Sequence, residues 1–401
     1  MKEKLSSRDK NLFERNIFLT YLRGCFSWGR FFVPVLALFY IASQVSLEQF
    51  SIIFAVFSLS ILILEIPTGV LADLLGKKKT LILSSLMYVI EVVIIAFFNG
   101  FWPLLIAKII SGMGVSLSSG TGSALIYDSL TRLGREEEHK KILGKLLYLT
   151  NISMAIVFIT GAYLFTLYYK LPAYLSLPFL IANLVVAFFL KEPFNPSKKF
   201  NIKNAYAHLI EGLKSFLKNK YLVYLALFTL IIGSTISMML SYSSTYYELI
   251  FIPVALIGVI AFVQSLLTAY SSRRAHKWEE KLGERKSLFF IQLIIILALL
   301  CMGFMLPKVG FVFLLIISFT GGFYSVLIGD YVNRHVKSSH RATMLSINNM
   351  FDNIGEFLLF PVLGFGIKSI GMGNTFTYFA LFVVVYLVIL WFVFRKVSSN
   401  S

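Results

Sequence analysis

Cysteine, acidic residues and charge in general are scarce in this chain of 401 residues. Its two cysteines, Cys25 and Cys301, each lie inside an apolar run, which excludes a disulfide framework and a thiolate metal site. Charged residues make up 14% of the chain against 57% hydrophobic ones, where soluble domains use about 45–50% apolar residues. Mean hydropathy is +0.78. A soluble enzyme, a disordered chain and a fibrous protein are thereby excluded. No Gly-x-x-x-x-Gly-Lys-Ser/Thr loop, HExxH helix, paired CxxC or GxSxG elbow occurs, so neither an attached ATPase nor an enzyme is expected, and no cofactor or metal. Acids number 20 against 37 Lys and Arg, a formal charge of +17. In a soluble protein that excess would suggest nucleic acid. Here the bases gather in alternate loops, so the expected partner is a lipid bilayer, with no nucleic acid.

What the chain has is long apolar runs. Crossing a bilayer takes about 20 such residues per helix, and the runs predict twelve helices. Six fall at 16–41, 49–74, 80–98, 102–131, 142–169 and 173–190, and six at 221–247, 252–272, 287–306, 309–333, 342–367 and 374–394. The expected organisation is an N-terminal bundle (1–190), a polar linker (191–220) and a C-terminal bundle (221–401). Of the Lys and Arg, 31 fall in the tails, the linker and alternate loops, while the opposite loops hold only Lys170, Lys308 and Lys368. That bias places both termini and the linker in the cytoplasm, in a multi-pass protein of the cytoplasmic membrane. The polar N-terminus, with no small-residue cleavage site after the first apolar stretch, argues against a removable signal peptide. In the linker, Ala205, Tyr206, Leu209, Ile210, Leu213, Phe216 and Leu217 recur at helical spacing beside lysines, which predicts an amphipathic helix at the membrane surface or packed as a tether.

The halves echo each other. Gly120, Ser123, Leu125, Ile126 and Asp128 recur at a constant shift of 202 as Gly322, Ser325, Leu327, Ile328 and Asp330, and Asn151 recurs as Asn353. Leu75 to Leu81 has a partner in Leu282 to Leu288. A duplicated six-helix unit leaves such a trace and implies a path between two similar halves.

The segment Gly69-Val-Leu-Ala-Asp73-Leu-Leu-Gly76-Lys77-Lys78-Lys79 resembles the signature of the major facilitator superfamily between its second and third helices. With twelve spans, a basic linker and a degenerate second copy, the resemblance covers the whole chain. It implies an all-α membrane fold of two pseudo-symmetric six-helix bundles, working as a monomer. Glu65-Ile-Pro67-Thr68 is similar to members grouped with drug and metabolite efflux. By resemblance, Gly69, Asp73, Gly76 and Lys77 belong to a gating latch. Lys108-Ile-Ile-Ser-Gly112-Met-Gly114 departs from a second motif, which has arginine first, and the Gly-Pro signature of many antiporters is missing: Ile156 to Leu167 offers only Gly161.

Ionisable groups inside spans cost at least a few kcal/mol and need a partner, water or a task. Arg30, in the middle of the first span, suits an anionic part of a substrate because guanidinium binds carboxylate or phosphate bidentately; a structural pair with Glu65 or Glu91 is the alternative. Arg23 is expected to snorkel or pair locally. Asn349, Asp352, Asn353 and Glu356 share one helix face, which must look inward. Asp352 and Glu356 are expected to couple protons, with Glu91 and Lys108 as further candidates, or else to form a structural polar network. Asp128 and Asp330 are expected to pair with Arg132 and Arg334, each four residues on, in a gate. Gln264, Tyr324, Asn349 and Asn353 are candidate substrate contacts. Tyr246 and Tyr247 suit either the outer mouth or the aromatic belt.

The expected function is secondary active transport of a small organic molecule, proton-coupled and exporting. Movement of an anionic metabolite or metal chelator, or a non-transporting membrane sensor on the same fold, are the alternatives.

Overall fold

The computed structural model describes residues 7–194, 202–336 and 341–394, and every regular element among them is helical. In chain order these are α1 (Ser7–Ser27), a 3-10 turn (Val33–Val35), α2 (Leu36–Ala42), α3 (Leu47–Leu75), α4 (Lys77–Phe97), α5 (Phe101–Ser118), α6 (Thr121–Leu133), a second 3-10 turn (Glu136–Glu138), α7 (His139–Leu167) and α8 (Leu171–Phe188). The second half holds α9 (Ile202–Lys218), α10 (Lys220–Ser241), α11 (Ser243–Leu249), α12 (Val254–Leu282), α13 (Glu284–Gly303), α14 (Phe311–Arg334), α15 (Arg341–Ile370) and α16 (Met372–Phe394). Eleven helical segments among the described residues are long and apolar enough to cross a membrane. The first expected span is not one of them, because α1 is polar at its start and the helix stops at Ser27.

Three expected spans are interrupted. The first breaks over residues 28–32, beside Gly29 and Pro34. The fourth breaks at Gly120, whose φ of +68° is left-handed and suits glycine. The seventh breaks at Tyr242. Pro67 and Pro361, by contrast, are carried inside α3 and α15.

The chain divides into two compact units. The first comprises residues 1–33 and 63–205, the second 34–62 and 206–401. Helix α3 is therefore shared, its first half lying with the second unit. In the first unit α4 packs against α5 and α8, and α1 against α6, α7 and α8. Lys170 ties α4 to the start of α8: its side chain is 3% exposed and its Nζ donates to the Ile95 and Phe98 carbonyls at 2.7 and 2.9 Å. These carbonyls close α4, where a cation is favoured.

In the second unit α10 packs on α15, α12 on α14, and α13 on α16. Here α2 and the first half of α3 are held by the second half of the sequence. The Ser51 hydroxyl meets the Tyr242 hydroxyl, Glu48 pairs with Lys368 at 2.7 Å, and the Leu38 N–H donates to Ser244. Tyr242, Tyr246 and Tyr247 are fully buried, so neither an aromatic belt nor an open mouth describes them.

Helix α9 forms where the amphipathic pattern predicts it, although Ala205, Tyr206 and Leu209 lie outside the residues whose side chains are described. Beyond them, Phe216 is buried and stacks on Phe351 of α15, ring centroids 6.1 Å apart, while Ile210 and Leu217 are exposed. One edge of the helix is thus a tether.

Candidate functional site

Two clusters of buried or half-buried ionisable groups stand out, one in each unit. The first is built around the break in the first span. Past Ser27 the chain turns through Gly29, and its backbone groups are taken up by neighbours: the Phe31 N–H donates to Ser176, and Ser153 donates to the Cys25 carbonyl. Non-helical backbone at membrane depth survives only when so satisfied. The turn delivers Arg30 to Glu91 of α4, Nη2 to Oε2 at 3.0 Å. Lys108 of α5 holds the other oxygen at 3.2 Å, and the Ser111 hydroxyl adds a hydrogen bond to the same carboxylate. Glu91 is wholly buried, and Lys108 nearly so.

The pair with Glu91, one of the two readings of Arg30, is formed. Glu91 and Lys108 belong to that same triad. The Arg30 guanidinium also lies over the Tyr88 ring, 4.2 Å from its centroid. Tyr88 is seated by Gly114, where a built Cβ would come within 2.6 Å of the ring, and its hydroxyl meets Ser118 at 3.1 Å. The second glycine of the Lys108-to-Gly114 motif thus makes room for the ring that carries Arg30. Arg23 does not snorkel. It is 8% exposed, its Nε has no hydrogen-bond partner, and it makes no ion pair among the described residues.

The second cluster lies on α15. Asp352 and Glu356 stand one turn apart, and no cation pairs with either among the described residues. Glu356 accepts hydrogen bonds from Ser58 of α3 and Ser237 of α10. Asp352 faces α10 at Gly233, where a Cβ would fall 2.5 Å from both the Asp352 carboxylate and the Tyr324 hydroxyl. Tyr324 in turn hydrogen-bonds with Thr229, which is paired with the buried Asn348. Gly355 sits so close to the Leu230 carbonyl that no side chain fits.

The other residues on that face diverge. Asn349 is exposed, and Asn353 donates to the Asn349 carbonyl on its own helix. Asn348, with no sequence signal to mark it, is the asparagine that reaches another helix. Gln264 is buried and donates to the Leu314 carbonyl at 3.3 Å, an α12-to-α14 tie.

The expected gate residues fall in two separate ion-pair groups. Asp128 pairs with Lys77 rather than with Arg132. Arg132 donates to the Pro193 carbonyl and lies over Phe194, because the start of the linker folds back onto α6. Glu192 accepts from the N–H groups of Lys77 and Lys78, capping α4 in a way no local motif announces. Asp330 does pair with Arg334, at 2.5 Å, and Arg334 also grips both oxygens of Glu279 at 3.0 and 3.1 Å. Gly76 and Gly283, equivalent in the two copies, share positive φ of +88° and +74° ahead of α4 and α13. Among the described residues Asp73 makes no ion pair and nothing lies within 4 Å of a Cβ built on Gly69.

A sequence profile of the Major Facilitator Superfamily matches residues 18–355 and 252–401. The uncharacterized MFS-type transporter YxaM of Bacillus subtilis (strain 168) is 24% identical over 391 residues, covering 92% of this chain and 93% of that protein. The uncharacterized transporter BU466 of Buchnera aphidicola subsp. Acyrthosiphon pisum (strain APS) is 29% identical over 183 residues, 44% of each chain. Among solved structures, nucleoside transporter NupG superposes with a TM-score of 0.78 at 14% identity, covering 96% of this chain and 99% of its own. A bacterial homolog of the human lysosomal transporter Spinster reaches 0.74 at 13%, covering 98% of each. At these identities the structural likeness speaks for the fold.

Proposed function

Because the chain belongs to the major facilitator superfamily, we propose that this transporter couples an inward proton gradient to export of a small organic molecule by alternating access. The observation that carries the coupling is the Asp352–Glu356 pair, half-buried on one helix face with no cation beside it among the described residues. Two ionised carboxylates in that position would repel each other and bear an uncompensated desolvation cost. Binding a proton removes much of that cost, so proton occupancy and local packing are linked.

The link has a route. Glu356 holds Ser58, and Ser58 lies on the half of α3 that packs with the second unit. Asp352 lies beside the Tyr324 hydroxyl at Gly233, and Tyr324 is joined through Thr229 to Asn348. A proton arriving on either acid changes how firmly α15 holds α3. Asp73, Lys77, Asp128, Asp330 and Arg334 serve as cytoplasmic gating residues in this reading, supported by the family signature and by the ion pairs described. The Lys and Arg bias supports cytoplasmic termini in the cytoplasmic membrane, and Glu65-Ile-Pro67-Thr68 supports export. The chain acts as a monomer and not as an enzyme.

The test is proton movement in proteoliposomes loaded with a pH-sensitive dye, on addition of ethidium, uridine or benzoate. Uridine is included because the structural neighbour NupG is a nucleoside transporter. Compound-dependent proton flux in the wild type that disappears in D352N/E356Q supports the reading. Flux that survives in the double variant overturns the coupling, and a folded, reconstituted protein that moves none of the three favours the sensor.

A further inference from the structure

We infer that the first unit carries a binding site for the anionic group, carboxylate or phosphate, of the transported molecule, formed by Arg23 and Arg30 beside Tyr88. This rests on the reading of the chain as a transporter and names the chemical class of its substrate.

Three observations lead there. First, Arg23 is nine-tenths buried with its Nε unsatisfied, and no acid pairs with it among the described residues. A guanidinium held that way is costly, and an anion brought to it repays the cost. Secondly, Arg30 shares its one described carboxylate, Glu91, with Lys108. Its Nε is also buried without a hydrogen-bond partner, and its side chain is 18% exposed, so one edge can be reached. Guanidinium presents five N–H donors in a planar fork, and a single carboxylate oxygen at 3.0 Å leaves most of them for a ligand.

Thirdly, Arg30 stands in the break of the first span, and interrupted helices are where membrane transporters place their substrate sites. Tyr88 joins the two arginines. Its ring supports Arg30 at 4.2 Å, and its hydroxyl lies within electrostatic reach of Arg23. Glu91 and Lys108 then act as a backing pair that aims Arg30 without using up its donors.

The test is equilibrium binding to the purified full chain in detergent, followed by thermal shift at constant ionic strength and a single pH. The probes are inorganic phosphate, benzoate, and the size-matched benzamide and benzylammonium. Stabilisation by benzoate or phosphate, absent with benzamide and benzylammonium, is expected. It should fall at least tenfold in apparent affinity in R30Q and in R23Q, and be partly kept in R30K. Because R30Q leaves Glu91 paired with Lys108, that variant retains a charge-balanced core and should fold. Equal stabilisation by benzamide, unchanged anion binding in both Gln variants, no stabilisation by either anion, or an effect seen only with added phosphatidylglycerol would each overturn the assignment. No proton gradient enters the assay, so failure of the coupling reading would leave this result standing, and the reverse.

Discussion

Gly161 of α7 lies directly against the carbonyl of Phe31, with no room for even a methyl group between them. The residue after Arg30 is thus fixed on two sides, by the Ser176 hydroxyl at its N–H and by a bare helix backbone at its C=O. The position of Arg30 depends on this contact as much as on its own ion pair.

Replacing that glycine should therefore disturb the arginine without touching it. In G161A the added carbon displaces the 28–32 segment, at a cost of about 1–3 kcal/mol for overpacking. Benzoate binding should weaken about as much as in R30Q while the protein still folds, which circular dichroism and the thermal-shift assay read together.

The acids of α15 are expected to separate stability from function. An unpaired buried carboxylate is a burden to the fold, so D352N should melt no lower than the wild type at neutral pH, although pH-driven flux is lost. A lower melting temperature would show that Asp352 is held by a charge partner after all.

At the repeated basic turn, Arg334 joins α14 to Glu279 of α12 through two hydrogen bonds. E279A should remove both and leave Arg334 with Asp330 alone, costing about 1–3 kcal/mol on the scale of charge-assisted hydrogen bonds. D330N, which keeps the Glu279 contact, should cost less. Melting temperatures of the two variants at one detergent concentration check the order.

Lys170 supplies a pH test outside the spans. Burial pushes its pKa from 10.5 down to about 8. Between those values the unfolded chain holds a proton that the folded chain has released, so stability rises with pH through that window. The melting temperature of the wild type should climb relative to K170M between pH 8 and 10, where K170M lacks this slope. A falling difference would contradict the lowered pKa.

Much of the architecture was legible from composition and pattern. Long apolar runs predict helices because backbone groups in hydrocarbon must satisfy one another, and nine of the twelve expected spans are each a single helix. Gly76 and Gly283 stand at matching places in the repeated segment that the sequence shows, and both have the positive φ that favours glycine. The breaks at 28–32, Gly120 and Tyr242 were not legible: polar and small residues gather near Gly120 and Tyr242, but such residues do not by themselves end a helix, as Pro67 and Pro361 inside α3 and α15 show. Asp128 shows the limit of local spacing. Arg132 lies four residues away on the same helix, yet Lys77 from another helix takes the carboxylate while the linker draws Arg132 to Pro193.

By itself, the sequence determined that this chain is a helical membrane protein of a known superfamily with a small set of costly charges, since transfer free energies and a turn signature are local properties. Which charges meet was decided only by tertiary structure. Glu91 receives Arg30 and Lys108, Glu356 receives Ser58, and Arg23 is left with no acid beside it among the described residues. These pairings join residues 17 to 298 positions apart, and an ion pair's energy depends on separation in space, which helix packing sets.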